Sequence, residues 1–543
     1  MNYPNTPFCI PAIRSIIPEK LKPFVIILFL IIIQFSGGVY LASISEMIET
    51  TALLQEDIMM AGYASLIGMA LNFVYMFRIK CAIPPKNTFL ICGTVIIIAN
   101  LIAMHTTSVP LLVGVCFIAG FFRMQATFEC NSTIQLWLTP KRDMSVFFCW
   151  VYLIVNSSIN LSGIMTVYLS VLGEWHYMQW TIIGLMCLLL LIVILIYQNV
   201  STMPPIPFLG IDWLGMIMWG SIALSILFIC IYGEHYDWWN GTPIQIATIF
   251  GIIILGLTLW RSSFIRHPYI FLETLTKPIV WSSILVIIIA DILLAPSHIF
   301  EHALMKNILH YNEQHLISLN WIGFMGTIVA VIFTWQFFAI RKWTYQRMLV
   351  IAFSCICIYL CYFYFFIDYN LPKKSLFFPI FIRNMGYVIM AITVLTSLTR
   401  LSFPHHFFQG VTLQNLFSAS LGSAIGTAIV ERLFKITITK NAMLLSSTID
   451  GINNSHQQIQ IPFLHGIVQQ QALMISMKEI YGYLLSLSLI SLLIILIRKS
   501  SFKPTNVIHP KFKTLRKQLK HELKMKLRFK IWKQGFDKFN TSK

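Results

Sequence analysis

The sequence predicts an all-α integral membrane protein with about fourteen transmembrane helices. Of its 543 residues, 57% are hydrophobic and only 11% are charged, whereas soluble domains carry about 25% charged residues. A membrane-spanning helix needs roughly 20 mostly apolar residues, and runs of that kind recur along the whole chain. The predicted spans are 23–43, 56–77, 87–106, 109–138, 145–172, 177–198, 211–232, 244–262, 278–299, 318–340, 346–367, 376–400, 409–434 and 471–497.

The cysteines do not indicate a metal site. Eleven are present, mostly inside the apolar runs and without the paired spacing of metal ligands. Buried cysteine behaves as a small apolar packing residue. We therefore predict no metal, no catalytic residue and no cofactor, apart from possible coupling to protons.

The placement of charge predicts the orientation. If residues 1–22 are a cytoplasmic N-terminus, the inner connections hold most of the basic residues and the outer ones mainly acids. This asymmetry is the positive-inside pattern of membrane proteins. An even number of spans then returns the C-terminus to the same side, so we expect a multi-pass protein of the cytoplasmic (inner) membrane with both termini in the cytoplasm.

The C-terminal tail, residues 498–543, is strongly basic. It contains 15 Lys and Arg residues against two acids, and so supplies 13 of the formal net charge of +18. Apolar residues are interleaved with the basic ones between Arg516 and Trp532. Because the tail directly follows a span, we predict a helix on anionic lipid headgroups rather than a nucleic-acid-binding segment.

Two connections divide the chain. Residues 199–210 form a proline-rich, uncharged cytoplasmic linker after a predicted six-helix bundle, 23–198. Residues 435–470 form a polar outer loop, longer than most helix connections. That loop is predicted either to contact a partner or to be a plain linker, and both interpretations stay open.

Several local sequences resemble one transporter family. Gly173–Trp180 resembles its entry into helix six, Ile211–Gly215 and Gly233–Trp239 resemble the two ends of its helix seven, and Gln471–Tyr483 resembles its last helix. Arg123 stands where that family has an arginine in helix four. On these motifs the chain resembles the major facilitator superfamily and, within it, the fourteen-helix drug:proton antiporters.

This resemblance implies a major facilitator fold of two six-helix halves, 23–198 and 278–497, with two additional peripheral helices in 211–277. The connection between helices two and three differs from the family signature. It lacks the glycines and the aspartate but keeps Arg78, Lys80 and Lys86, which we interpret as the remnant of a cytoplasmic latch. The chain is therefore identified as a divergent member.

Two charges interrupt the fourth span. Arg123 lies about 20 Å from the nearer end marker, Pro110, along an ideal helix, and a central Arg costs roughly 2.5–3.5 kcal/mol on insertion scales. It should therefore face a polar cavity or an acidic partner. Glu129 lies about 120° around the helix, so the two need not pair, although an Arg–Glu pair that only fixes packing stays an alternative.

Later spans hold further embedded charges. Asp291 lies deep in its span, and Pro296 is available to open the backbone nearby. Arg383 and Asn384 lie nearer the outer face, where Arg383 either belongs to the site or extends to the headgroups.

Uncharged polar residues in the spans predict a central cavity wall. Any one of them could instead form a single interhelical hydrogen bond of about 0.6 kcal/mol. Transporter sites lie near the bilayer midplane between repeated halves, which favours the cavity. The predicted wall consists of Gln34, Asn72, Gln125, Asn156, Asn160 and Asn415.

Together these features predict a secondary active transporter that exports amphipathic or lipophilic small molecules, with proton antiport through alternating access as its candidate mechanism. Glu129 and Asp291 are the candidate proton carriers, and no nucleotide-binding P-loop sequence is present. Family resemblance implies a periplasmic adaptor protein as a partner in hosts with two membranes. The alternatives are a membrane enzyme acting on lipid-linked substrates and a non-transporting sensor or scaffold that retains the fold.

Overall fold

A computed structural model of the chain describes residues 12–36, 53–139, 143–172, 176–200, 211–309, 313–369, 371–401, 404–447 and 461–498, with a few neighbouring positions. Three segments with predicted roles lie wholly or largely outside the described residues: the linker 199–210, the centre of the outer loop at 448–460, and the basic tail after residue 504. The first eleven residues of the N-terminus lie outside them as well.

The described residues are organised as fourteen main helices. Their apolar sequences favour helix in a membrane because only there are all backbone polar groups paired within one segment. Several begin with proline in the first turn, where its missing N–H costs nothing. The helices are α1 Lys22–Phe35, α2 Gln55–Asn72, α3 Pro85–His105, α4 Val109–Leu138, α5 Met144–Leu172, α6 His176–Ile196, α7 Trp213–Tyr232, α8 Thr242–Phe264, α9 Pro278–Leu294, α10 Glu313–Thr334, α11 Tyr345–Phe366, α12 Phe377–Leu398, α13 Pro404–Leu416 continued by Gly422–Ser447, and α14 Ile461–Ile497.

The length and composition of these helices are those of a multi-pass membrane protein. Within the described part of the chain, eleven are long and apolar enough to cross a membrane. The number is twelve if α2 and the short helix Met76–Ala82, bent by 66° against it, form one span. The described part of α1 has 14 residues, and a π-helical turn, Phe417–Leu421, divides α13. The count of fourteen spans therefore stays a prediction.

One predicted span is broken by a bend, and a second is interrupted before a proline but remains one candidate span, Pro278–Glu301. The span predicted at 56–77 ends at Asn72 and continues in another direction as Met76–Ala82. The span predicted at 278–299 ends as a regular helix at Leu294, and Pro296 begins a separate helix, Pro296–Ala303. Proline cannot continue a regular helix, because its ring clashes with the carbonyl one turn earlier.

Helices extend into both ends of the segment predicted as an outer loop, 435–470. The second part of α13 continues to Ser447, and α14 begins at Ile461. Hydropathy detects only the apolar part of a helix, so the sequence pattern did not predict these helical ends. At 37 residues, α14 is about 55 Å long, well beyond the roughly 30 Å of the hydrocarbon core.

The helices meet along two seams between the predicted six-helix halves. In the first seam, α2 packs against α13; in the second, α5 packs against α10 and α12. One apolar cluster joins α2, α5 and α7 to the helices from α9 onward, and another joins α1, α3, α4 and α6. The seam helices α2 and α5 therefore share a core with the opposite half.

The two additional helices differ in their surroundings. α8 packs mainly on α7, and only 11% of its apolar window is buried. α7 instead lies against both α2 and α13, with 39% of its window buried. The expectation of two peripheral helices therefore fits α8 but not α7.

Candidate functional site

Asp291 lies where α9 crosses α13. Its side chain is 7% exposed, and no described residue forms a hydrogen bond with its Oδ2 atom. Gly422 and Gly426 of α13 face it: a Cβ atom at Gly422 would collide with the carboxylate, and one at Gly426 would lie 2.9 Å from the Asp291 carbonyl oxygen. The glycines thus allow the two backbones to approach and leave room for the carboxylate.

The seam between α2 and α13 passes beside this carboxylate. The hydroxyl groups of Tyr63 on α2 and Ser423 on α13 are hydrogen-bonded at 3.1 Å. Tyr63 and Tyr387 of α12 lie within electrostatic range of Asp291. Among the described residues no Lys, Arg or His forms an ion pair with Asp291, so this buried acid has no cationic partner there.

The other predicted proton carrier, Glu129, is differently placed. It is fully buried and accepts a hydrogen bond of 3.0 Å from Lys80 Nζ. Lys80 also donates to the hydroxyls of Ser132 at 2.7 Å and Thr133 at 3.3 Å. The pair lies inside the first predicted half, held by α4 and the short helix after α2.

Lys80 was predicted to belong to the remnant of a latch in the connection between helices two and three, and it lies in the short helix Met76–Ala82 of that connection. Its role in a latch stays a prediction. The chain bends after α2, and the bend directs Lys80 inward, where its side chain is only 5% exposed. Arg78 and Lys86 flank it and are half-buried. Of the three residues of the latch remnant, Lys80 is thus part of the interior.

Arg123 does not pair with Glu129. It is buried, and its Nη2 atom lies 2.6 Å from the sulfur of Met69 on α2. Its backbone carbonyl accepts a hydrogen bond from Thr127, whose hydroxyl in turn accepts one from Gln34 of α1. The alternative of an Arg123–Glu129 packing pair is therefore wrong, because Lys80 occupies that role.

The residues of the predicted polar wall form hydrogen bonds with near neighbours, and their place in one cavity stays a prediction. Asn72 donates to Gln125 Oε1 at 3.2 Å, and Gln125 donates to the Met76 carbonyl, which ties α2 to α4. Asn160 donates to the backbone carbonyl of Asn156, one turn earlier in its own helix. Asn415 does the same toward Val411. These hydrogen bonds lie within one helix or one half, and the buried Oδ1 atom of Asn72 has no partner among the described residues.

Glu301 was missed by sequence reasoning. It accepts two hydrogen bonds of 2.6 Å from Arg383 and one of 2.8 Å from the hydroxyl of Tyr359. Arg383 therefore does not extend to the headgroups, while its neighbour Asn384 packs against Gly323 and Gly326 of α10. The sequence contained one indication of this residue. Glu301 is an acid only two residues beyond the predicted span end at 299, in the helix that follows Pro296.

The ends predicted to be cytoplasmic carry a second set of polar contacts. Asp212, at the start of α7, is bound by both terminal nitrogens of Arg261, at 2.7 and 2.9 Å. Burial raises the pKa of Asp212, but hydrogen bonds from Arg261 and from the backbone N–H groups of Gly215 and Tyr269 outweigh this, so its pKa lies below the ordinary value. Across the second seam, Lys342 Nζ lies 2.5 Å from an Asp143 oxygen.

No group of His, Cys, Asp and Glu side chains suited to a metal ion occurs among the described residues. No protein-family model matches the chain, and no curated protein matches its sequence.

The chain is similar in structure to solved transporters. A mutant of the peptide transporter POT, in complex with sulfate, matches with a TM-score of 0.56 and 14% identity, over 89% of this chain and 96% of that one. A mutant of the nucleoside transporter NupG matches with a TM-score of 0.51 and 14% identity, over 88% of this chain and 99% of that one. Together with the helical architecture, these matches identify the fold as the major facilitator fold.

Proposed function

We propose that this protein is a secondary active transporter that exports an amphipathic or lipophilic compound by proton antiport. Asp291 would be the carboxylate that couples the proton to the substrate. The observation that carries the proposal is a buried carboxylate without a cationic partner among the described residues, located beside the α2–α13 seam. Alternating access in this fold moves one half against the other, so a group at a seam changes its surroundings in every cycle.

The physical argument concerns the charge of Asp291. A carboxylate that is removed from water without a partner is stable only when it holds a proton or a bound cation. When the seam opens, water reaches the group and the proton can leave. A substrate that binds between the halves can then exchange with the proton.

Glu129 is the weaker candidate for the same task. Its ion pair with Lys80 supplies the countercharge that Asp291 lacks, so it can remain ionised through the cycle. We assign it a role in holding α4 against the segment after α2. Binding of the tail to anionic lipid and of a periplasmic adaptor to the outer loop stay predictions.

The test is accumulation of a panel of lipophilic cations and amphipathic acids in cells that express the chain, with and without an uncoupler of the proton gradient. We expect the wild-type protein to lower accumulation of at least one compound. Asp291→Asn and the uncoupler should each abolish that effect. Asp368→Asn, which changes an exposed acid after α11, should preserve it.

Two results would contradict the proposal. Export that persists in Asp291→Asn and with the uncoupler would remove the coupling mechanism. No change for any compound, with folded protein present in the membrane, would favour the sensor or scaffold alternative.

A further inference from the structure

Residues 211–277, which contain α7 and α8, bridge the two predicted halves at the outer end of the α2–α13 seam. The hydroxyl of Tyr232, at the end of α7, donates to Asp57 of α2. Glu234, two residues later, binds Lys435 of α13 at 2.9 Å and Arg432 at 3.3 Å. One short stretch after α7 therefore contacts both halves.

The opposite end of the same segment also contacts α2 and the residues that follow it. The backbone N–H of Asp212 donates to the hydroxyl of Tyr75 at 2.9 Å. The hydroxyl of Tyr269, after α8, donates to the carbonyl of Leu71 at 2.5 Å. Both contacts are buried, and they join the start of α7 and the connection after α8 to the predicted cytoplasmic end of α2.

The connection after α8 is bound to α13 as well. Gln409 donates to the Tyr269 carbonyl at 3.0 Å and accepts hydrogen bonds from the Thr274 hydroxyl at 2.7 Å and the Phe271 N–H at 3.3 Å. The Thr274 hydroxyl is also 2.6 Å from His406 Nδ1. Gln409 thus fixes three positions of the connection to α13.

The bridge is closed by the Asp212–Arg261 ion pair. Arg261 lies at the end of α8 and Asp212 at the start of α7, so their bidentate contact holds the two helix ends together. Asp212 Oδ2 also accepts the backbone N–H of Tyr269 at 3.1 Å. The contacts to α2 and those to α13 therefore meet in one hydrogen-bonded network.

We propose that residues 211–277 are a strap that holds the α2–α13 seam closed at the predicted cytoplasmic end, with Gln409 and Arg261 as positioning residues. In the described part of the chain, the second seam has no inserted segment and is joined at that end by Asp143 and Lys342. Opening of the strapped seam requires the strap to release one of its two sides. The closure itself does not depend on the proposed function; only its effect on turnover does.

The reporter of closure is the stacked pair of Phe77, after α2, and Phe408 of α13, whose ring centroids lie 6.3 Å apart across the seam. Both would be replaced by cysteine in a background in which exposed Cys187 is serine. The rate of cross-linking by a short bifunctional thiol reagent is then measured. Gln409→Leu releases the α13 side, and Arg261→Gln opens the network between the sides.

We expect cross-linking to slow at least threefold in both variants. Glu19→Gln removes an ion pair with Lys22 on α1, away from the seam, and should leave the rate unchanged. If Gln409→Leu does not give folded, monodisperse protein, Tyr269→Phe removes the hydrogen bond to Leu71 and tests the α2 side instead. Equal rates in the folded variants and in Glu19→Gln would overturn the proposal.

Measuring export by the same variants distinguishes a failure of the strap from a failure of the proposed transport function. With a substrate in hand, strap variants should change kcat and leave KM close to that of the wild type, since none of the hydrogen bonds and ion pairs of the strap given above involves Asp291. Slower cross-linking in a protein that exports no compound would support the strap and contradict the transporter. Unchanged cross-linking in a protein that still exports a compound would contradict the strap and support the transporter.

Discussion

Glu129 and Asp291 are both carboxylates buried within predicted spans, and they differ in their neighbours. Glu129 has Lys80 at 3.0 Å and lies inside one half. Asp291 has two glycines, a seam hydroxyl pair and no cation among its described neighbours. The comparison indicates that burial alone does not mark a functional acid in this protein. Under the proposed function, the acid that takes part in coupling is the one that is buried beside a seam without an internal countercharge.

The largest effect is expected when Glu129 is made to resemble Asp291. Lys80→Met leaves a buried carboxylate without its partner, which typically costs about 3–5 kcal/mol. Lys80→Met combined with Glu129→Gln should recover most of that loss, because neither charge then remains. Thermal unfolding of the purified variants measures both. Equal stability of Lys80→Met and wild-type protein would show that the Glu129 charge needs no partner.

A second substitution perturbs only the Asp291 side. Gly422→Ala places a methyl group against the carboxylate, and overpacking of this kind costs about 1–3 kcal/mol. We expect reduced stability and reduced export. Gly256→Ala on α8 is the matched control, since a Cβ atom there meets nothing within 4 Å. The same result for both glycines would mean that α13 does not press on Asp291.

A smaller effect is expected from the hydroxyl pair beside Asp291. Tyr63→Phe removes the hydrogen bond to Ser423 and should cost about 1 kcal/mol of stability. Because this bond links the halves, the change should also alter the dependence of export on pH. Tyr387→Phe, whose hydrogen bond to Ser418 lies within one half, serves as the comparison. If neither change affects the pH profile, the seam hydroxyls do not take part in coupling.

His406 is expected to make the stability of the protein depend on pH. It lies outside the apolar region, since it precedes the span predicted at 409–434. Burial and neighbouring His405 lower its pKa to about 4, against an opposing effect of Glu273. The unfolded chain therefore binds a proton at higher pH than the folded one, and stability falls as pH decreases from about 6.5 to about 4. The loss should approach about 3 kcal/mol over this range, at about 1.36 kcal/mol per pKa unit. Thermal unfolding against pH should show a flatter profile for His406→Gln; an unchanged profile would assign the loss to other groups.

Hydropathy and charge patterns were sufficient to predict a helical membrane protein, its approximate spans and the position of Asp291. They were insufficient for Lys80, because a bend of 66° after Asn72 turns an expected surface residue inward. Hydropathy depends on the length and polarity of an apolar run. It gives no information on the direction of the chain after the run ends.

Partners distant in sequence were also beyond a pattern-based prediction. Glu301 binds Arg383, 82 residues away, and Lys80 binds Glu129. Such pairs depend on which helices become neighbours, and the polarity of one run contains no information about that. The contacts of residues 211–277 with both α2 and α13 could not be predicted from the sequence for the same reason.

The most direct test of the central claim is the protonation state of the two acids in the folded protein. Infrared spectra of the purified protein near neutral pH should contain a protonated-carboxyl band that Asp291→Asn removes and Glu129→Gln retains. A band that disappears in Glu129→Gln and persists in Asp291→Asn would contradict the account, since the proton would then reside on the acid that has an internal partner.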